Sequence, residues 1–183
     1  VSGANRMSSM AGISVIMPYY NGGVYFRDAL HSVVNQTMPV DEVIIINDGS
    51  LDEHTTVLAQ IVSEFTASLK IRVLSHENCG QSASRNAGVS ESTGGLLAFL
   101  DQDDSWMPRH VELLSRPFLN SDELGWAYSD FNEIDNDGLL VTRNFIRGTH
   151  RIHPKSSIVE MLGEDLMILP SASILRRSAF EAT

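Results

Sequence analysis

At 183 residues and 43% apolar side chains, the chain is long enough for one well-buried domain with an appendage. Its 13 lysines and arginines against 23 acidic residues give a net charge of -10, which argues against a nucleic-acid surface or an anionic-membrane anchor as its main business. The single cysteine, Cys79, excludes an internal disulfide and suggests a reducing compartment, and no apolar run approaches the roughly 18 residues of a membrane-spanning helix.

Residues 1–12, VSGANRMSSMAG, lack the apolar core of a signal peptide and read as a flexible leader. Ile13–Met17 reads as a first strand, ended by Pro18, whose missing N–H cannot serve a central ladder. Tyr19–Gly23 is a loop with turn chemistry, after which Phe26, Ala29, Leu30, Val33 and Val34 recur at helical spacing. Glu42–Ile46 is a second buried strand that runs into the turn Asn47–Ser50. Val57, Leu58, Ile61, Val62 and Phe65 mark the next helix, followed by a third strand at Ile71–Leu74 and a loop at Glu77–Gln81. Ser82–Ser90 reads as a short helix with Ser82 as its cap. The apolar run Leu96–Leu100 is a fourth strand, buried on both faces, and Pro108 suits the first turn of a helix through Leu119. Strands alternating with helices imply a doubly wound α/β fold with a mostly parallel sheet.

Beyond Asn120 the pattern changes. Trp126–Phe131 reads as a strand, Asp135–Gly138 as a hairpin-type turn and Leu139–Phe145 as the returning strand. Arg147–Pro154, with His150 and His153, is loop-like; Ser156–Leu162 reads as a short helix and Ser171–Leu175 as a strand. The chain therefore divides into a leader (1–12), a first half (13–120) and a smaller mixed or antiparallel extension (121–183).

Polar groups gather where the strands end, at Pro18–Asn21, Asn47–Ser50 and Asp101–Asp104, and one loop and helix add Gln81, Arg85 and Asn86. The carboxyl edge of an open parallel sheet is where ligands bind. Asp101, Asp103 and Asp104 would repel one another unless a cation sits among them, and a hard divalent ion with oxygen ligands, Mg²⁺ or Mn²⁺, brings substrate phosphates with it. The alternative is a solvated acidic turn that caps the next helix. Asp48, at the end of its strand, could accept hydrogen bonds from a base or ribose. No GxGxxG follows the first strand, and no Walker loop, GxSxG elbow or HExxH is present. The histidines show no metal-ligand spacing, and Cys79 has no evident activating base.

The segments VIMPYYN, IIINDGS, NCGQSASRNAG and FLDQDDSW, in that order, resemble the glycosyltransferase family 2 enzymes of GT-A fold. The likeness is continuous from Ile13 to Trp106 and looser through YSDFNEIDNDG and ILRRSAF. It implies an inverting transferase that moves a sugar from a nucleotide-diphosphate donor, most commonly a UDP-sugar, to an acceptor hydroxyl on a glycan or lipid-linked acceptor. Residues 13–120 would then be the nucleotide-sugar-binding half and 121–183 the start of the acceptor side. Donor contacts carried over are Pro18, Tyr20 and Asn21 at the base pocket, Asp48 on the base, and Arg85, Asp101 and Gln102 nearby. Asp103 would contact the divalent metal (Mn or Mg), with Asp101 or Asp104 as alternative or additional ligands. The base is expected beyond Thr183; Asp165, in the Glu164–Asp165 pair, and Asp130 are weaker candidates. A cytoplasmic setting follows, compatible with peripheral membrane association of a longer protein and with polysaccharide biosynthesis. The rival reading is a non-catalytic nucleotide-sugar-binding module that keeps the fold.

Overall fold

The computed structural model describes residues 12–148 and 168–182. In chain order its first half runs β1 (Ile13–Tyr19), α1 (Val24–Val34), β2 (Glu42–Asp48), α2 (Asp52–Phe65), β3 (Ile71–His76), α3 (Gln81–Glu91), β4 (Leu96–Phe99) and α4 (His110–Asn120). The second half adds β5 (Trp126–Tyr128), β6 (Glu133–Ile134), β7 (Leu140–Thr142), α5 (Phe145–Gly148), a 3₁₀ turn (Pro170–Ala172), β8 (Ser173–Arg176) and α6 (Arg177–Glu181). Six strands form one sheet in the order β3-β2-β1-β4-β8-β5, and β6 and β7 form a separate hairpin. The first four strands are parallel, and β8 runs antiparallel to both β4 and β5.

The apolar runs explain the sheet's position in the molecule. β1, β2 and β4 are buried along their whole lengths, as strands covered on both faces must be. Val15, Met17 and Tyr19 of β1 join the larger core, with Phe26, Leu30, Leu58, Ile61, Val111 and Phe118 from α1, α2 and α4. Ile16 turns to the other face and meets Val89, Leu97 and Phe99, with Leu175 and Phe180 packed alongside. Alternation along one strand thus feeds two helical layers.

Tight fits lock these layers. A Cβ added at Gly88 of α3 would come within 2.4 Å of Ile16 Cγ2, so the helix lies close against β1 because this position has no side chain. At the amino ends of the strands, buried Glu42 accepts the Ser14 hydroxyl (2.8 Å), the Thr93 N–H (2.6 Å) and the Thr93 hydroxyl (2.8 Å). Burial alone would push the Glu42 carboxyl up, but these donors hold it below its ordinary value. The Arg176–Arg177 pair fastens the same edge, where Arg176 lies opposite Leu96 at the start of β4. Arg176 donates to the Leu124 and Ser121 carbonyls after α4, and Arg177 to the Val89 and Gly94 carbonyls around the end of α3.

Six readings of the sequence need correction. β1 does not stop at Pro18: it continues through Pro18, opposite Ile46, to Tyr19, opposite Asn47. The Ile16 carbonyl accepts the Leu100 N–H on the β4 side, so the missing N–H of Pro18, two residues on, faces the same side, beyond the end of β4. A proline is tolerated there because that flank of the central strand no longer has a neighbour. The strand at Trp126 ends at Tyr128, and Phe145 begins a helical turn rather than ending β7. Pro170–Ala172 form a 3₁₀ turn, so β8 begins only at Ser173. The helix expected from Pro108 starts at His110, and the one expected from Ser82 starts at Gln81 with Gly80 as its cap. The helix expected at Ser156–Leu162 and the loop at His150 and His153 lie outside the described residues.

Two outcomes are expected. Gly88→Ala should cost about 1–3 kcal/mol in urea unfolding through overpacking against Ile16; an unchanged midpoint would contradict the close α3–β1 fit. His110 stacks on Trp106 with ring centroids 4.8 Å apart, and burial lowers its pKa from 6.5 to about 4. The folded state thus resists protonation, and the associated stability, complete above about 6.5, is lost as pH falls towards about 4. His110→Phe should flatten that part of the stability–pH curve, by up to about 3 kcal/mol across the window. An unchanged slope would contradict it.

Candidate functional site

β1 connects outward to β2 on one side, whereas β4 lies on its other side, so the sheet's topological switch point falls between β1 and β4. Their carboxyl ends carry Tyr19–Asn21 and Asp101–Asp104, and one residue ties the two loops together. Gln102 Oε1 accepts the Tyr20 N–H (2.9 Å) while its Nε2 donates to the Tyr20 carbonyl (3.2 Å). That double bond to the backbone leaves the Tyr20 ring free, and the residue is 48% exposed at the mouth of the crevice. Gly22 makes room for the clamp, since a Cβ there would lie 2.8 Å from Gln102 Oε1.

The acidic turn is braced from two directions. Arg85, reaching across from α3, pairs with Asp101 at 2.5 Å, with both side chains mostly buried (16% and 19% exposed). Ser171, in the 3₁₀ turn before β8, accepts the Asp101 N–H on its hydroxyl (3.0 Å) and the Trp106 indole N–H on its carbonyl (2.6 Å). Burial pushes the Asp104 carboxyl up, the charges of Asp101 and Asp103 push it further, and a Ser171 hydrogen bond and Arg85 oppose them. Trp106 itself is 7% exposed, a core residue rather than a platform for a sugar.

Asp103 differs from its neighbours. It is exposed, and its carboxylate has no hydrogen-bond partner among the described residues. Whether this turn suits a divalent cation can be judged from its donors. An exposed carboxylate beside a carboxyl raised first by burial and further by the charges of Asp101 and Asp103 is a hard oxygen set with little positive charge nearby, and that fits Mn²⁺ or Mg²⁺. Arg85 makes its direct ion pair with Asp101.

Asp48 is buried at the end of β2, and its carboxylate holds the loop before α3. Oδ1 accepts the Cys79 N–H (2.8 Å) and Oδ2 the Gly80 N–H (2.9 Å), while the Asp48 carbonyl accepts the Asn78 side-chain amide (3.0 Å). Burial would raise this carboxyl, but the two backbone donors and nearby His76 hold it below the usual range. Sequence reasoning found no base near Cys79, yet His76 Nδ1 lies 2.8 Å from its sulfur. The parallel register sets Asp48 opposite His76, and a three-residue step brings Cys79 back to the same point. Only the strand pairing reveals this, because Asp48 and His76 are 28 positions apart. Desolvation and the Asp48 carboxylate push the Cys79 thiol up.

The remaining expected residues serve local structure. Asn21, with a positive φ of 47°, donates its N–H to Ser50 Oγ (3.0 Å) and accepts the Leu51 N–H (2.9 Å) on its side chain, joining the first two strand-end loops. Pro18 is buried in β1 beneath the Tyr20 loop. Asp130 accepts the N–H groups of Phe131 (2.9 Å), Ile146 (2.7 Å) and Arg147 (3.2 Å), so its carboxylate caps α5. Asp165 lies outside the described residues. Ser171 was not anticipated: no sequence signal marks a serine 70 positions from the turn it braces.

Comparison with known proteins agrees with this architecture. The profile described as glycosyl transferase family 2 matches residues 14–183. An uncharacterized glycosyltransferase of Nostoc sp., alr2836, is 30% identical over 165 residues, which covers 90% of this chain and 50% of that protein. The structure of S. aureus TarS 1-349 in complex with UDP aligns over 93% of this chain and 48% of its own, with a TM-score of 0.65 at 21% identity. The mannosyltransferase PcManGT from Pyrobaculum calidifontis, in complex with GDP-Man and Mn2+, aligns over 68% of this chain and 36% of its own, with a TM-score of 0.59 at 21% identity. Likeness at that identity is one of fold, and it is to mostly parallel α/β sheets of the GT-A kind. The chain spans half the length of the Nostoc relative. On the match of the family profile over nearly its whole length, the chain belongs to glycosyl transferase family 2.

Proposed function

We propose that the crevice between the carboxyl ends of β1 and β4 binds a nucleotide-diphosphate sugar together with a divalent cation, as the donor site of an inverting sugar transfer. The observation that carries this reading is the exposed Asp103 carboxylate, without a hydrogen-bond partner among the described residues, beside the Asp101–Arg85 pair at the sheet's switch point. Exposed Tyr20 offers a ring face to a base, with Pro18 and Asn21 shaping the loop that presents it and Asp48 at the pocket's far side. Asp101, fixed by Arg85, and Gln102 stand between base and phosphates. Asp103, with Asp104 or Asp101 beside it, would hold the cation. When bound, that cation neutralises charge building up on the leaving nucleoside diphosphate.

UDP is the favoured nucleotide. The TarS structures include complexes with UDP and UDP-GlcNAc, and the PcManGT structure holds GDP-Man and Mn2+, so a GDP-sugar is the alternative. The acceptor is a hydroxyl on a glycan or lipid-linked molecule, and inversion requires a base to take its proton. Asp130 is committed to capping α5, so we assign the base outside the described residues. Among the described residues no helix is long and apolar enough to cross a membrane. The single, free cysteine favours the cytoplasm as the working compartment.

Calorimetric titration tests the donor site. UDP should bind only with Mn²⁺ present, and Asp103→Ala should weaken that binding at least tenfold; tight metal-free binding, or an unaltered variant, would overturn the reading. Ser171→Ala should weaken Mn²⁺-dependent UDP binding roughly fivefold, about 1 kcal/mol for a lost brace, with little change in melting temperature. No loss of affinity would show that Ser171 does not position the acidic turn.

A further inference from the structure

Opposite the acidic turn, at the ends of β2 and β3, three donors of different chemistry converge on one point. Cys79 Sγ lies 2.8 Å from His76 Nδ1 and 3.7 Å from Asp48 Oδ1, while the ring's other nitrogen, Nε2, lies 3.4 Å from that oxygen. One ligand atom from each falls within 4.8 Å of the others. We propose that Asp48, His76 and Cys79 form a second cation site, selective for a thiophilic divalent ion of the Zn²⁺ class and separate from the oxygen-only turn at Asp101–Asp104.

The donor set sorts the two sites by ion. A thiolate and an imidazole favour borderline-soft metals, whereas Mn²⁺ and Mg²⁺ prefer carboxylates and water. Zn–S bonds of about 2.3 Å and Zn–N or Zn–O bonds of about 2.0–2.1 Å put tetrahedral donors about 3.3–3.6 Å apart. The observed separations, 2.8 to 3.7 Å, bracket that range, and Cys79 is exposed, so rotation of its side chain closes the difference. Three protein ligands at the solvent edge leave a fourth position open for water or a ligand.

The surroundings suit ligation through Nδ1. Nε2 lies 3.1 Å from the hydroxyl of Ser84, which is fully buried and donates onward to the Gly80 carbonyl (3.1 Å). The imidazole therefore has an acceptor for its other N–H, the second contact that fixes the tautomer of a metal-bound histidine. Asp48 is already oriented by the Cys79 and Gly80 N–H groups. A nucleophilic cysteine relay fits less well. There the carboxylate would sit behind the imidazole, away from sulfur, whereas here Asp48 reaches the sulfur itself. On binding, the S–H bond breaks, an S–metal bond forms, and the thiol proton leaves to solvent. Because Asp48 also borders the proposed base pocket, occupancy would oppose nucleotide binding; that consequence rests on the donor-site reading, whereas the metal site does not.

Cobalt reports this geometry directly, because a cobalt–thiolate bond gives a charge-transfer absorption that an all-oxygen site lacks. Titrating the purified chain with Co²⁺ should give that near-ultraviolet band, saturating at one equivalent and removed by Zn²⁺. Cys79→Ser should abolish it, His76→Ala should weaken Co²⁺ binding at least tenfold, and Asp103→Ala should leave it intact. Absence of the band in the wild-type chain would overturn the proposal, as would a band indifferent to His76→Ala, which would mark adventitious thiol binding. Nucleotide is absent from this assay, so its result is independent of whether UDP binds.

Discussion

Repulsion within one turn governs this structure. Two like charges about 4 Å apart at an effective dielectric near 20 cost about 4 kcal/mol, more than a loop's own hydrogen bonds return. Asp101, Asp103 and Asp104 can share the end of β4 only because each meets a different response. Asp101 is paired with Arg85, Asp104 is drawn in beside Ser171 and held up towards its neutral form, and Asp103 is exposed with no hydrogen-bond partner among the described residues. The fold satisfies two of the three and leaves the last exposed.

That arrangement depends on packing well away from it. Arg85 reaches the turn because α3 lies close on β1, and Gly88, one helical turn along the same face, permits that approach. Ser171 reaches it because β8 is inserted antiparallel beside β4, which carries the preceding 3₁₀ turn to the strand's carboxyl end. The Arg176 and Arg177 side chains fasten β8 and α6 to the carbonyls at the ends of α4 and α3. Gln102 completes the set by joining the acidic turn to the Tyr20 loop across the switch point. Stability and site geometry therefore share the same residues.

The sequence was most legible where burial is continuous. β1, β2 and β4 are apolar runs covered on both faces, so their existence followed from those runs and their parallel order from the alternation with helices. Pro18 misled because its effect depends on which flank of β1 has a neighbour, and that depends on where β4 stops. The short strands β5 and β8 gave weaker signals, as three- and four-residue segments whose partner lies far along the chain. The acidic turn and Tyr20 were readable as residue types at strand ends, and Arg85 as a cation on the helix beside them. Their supports were not: Ser171 acts from 70 positions away, and the Asp48–His76 neighbourhood exists only through strand register.

The central claim is that one nucleotide lies across the carboxyl ends of β1 and β4 with a cation at Asp103. A crystal structure of this chain grown with UDP and Mn²⁺ tests it most directly. The account predicts a base against Tyr20, a diphosphate beside Asp101, and anomalous density for manganese within coordination distance of the Asp103 carboxylate. Nucleotide bound elsewhere, or manganese absent from the Asp101–Asp104 turn while UDP is present, would contradict it.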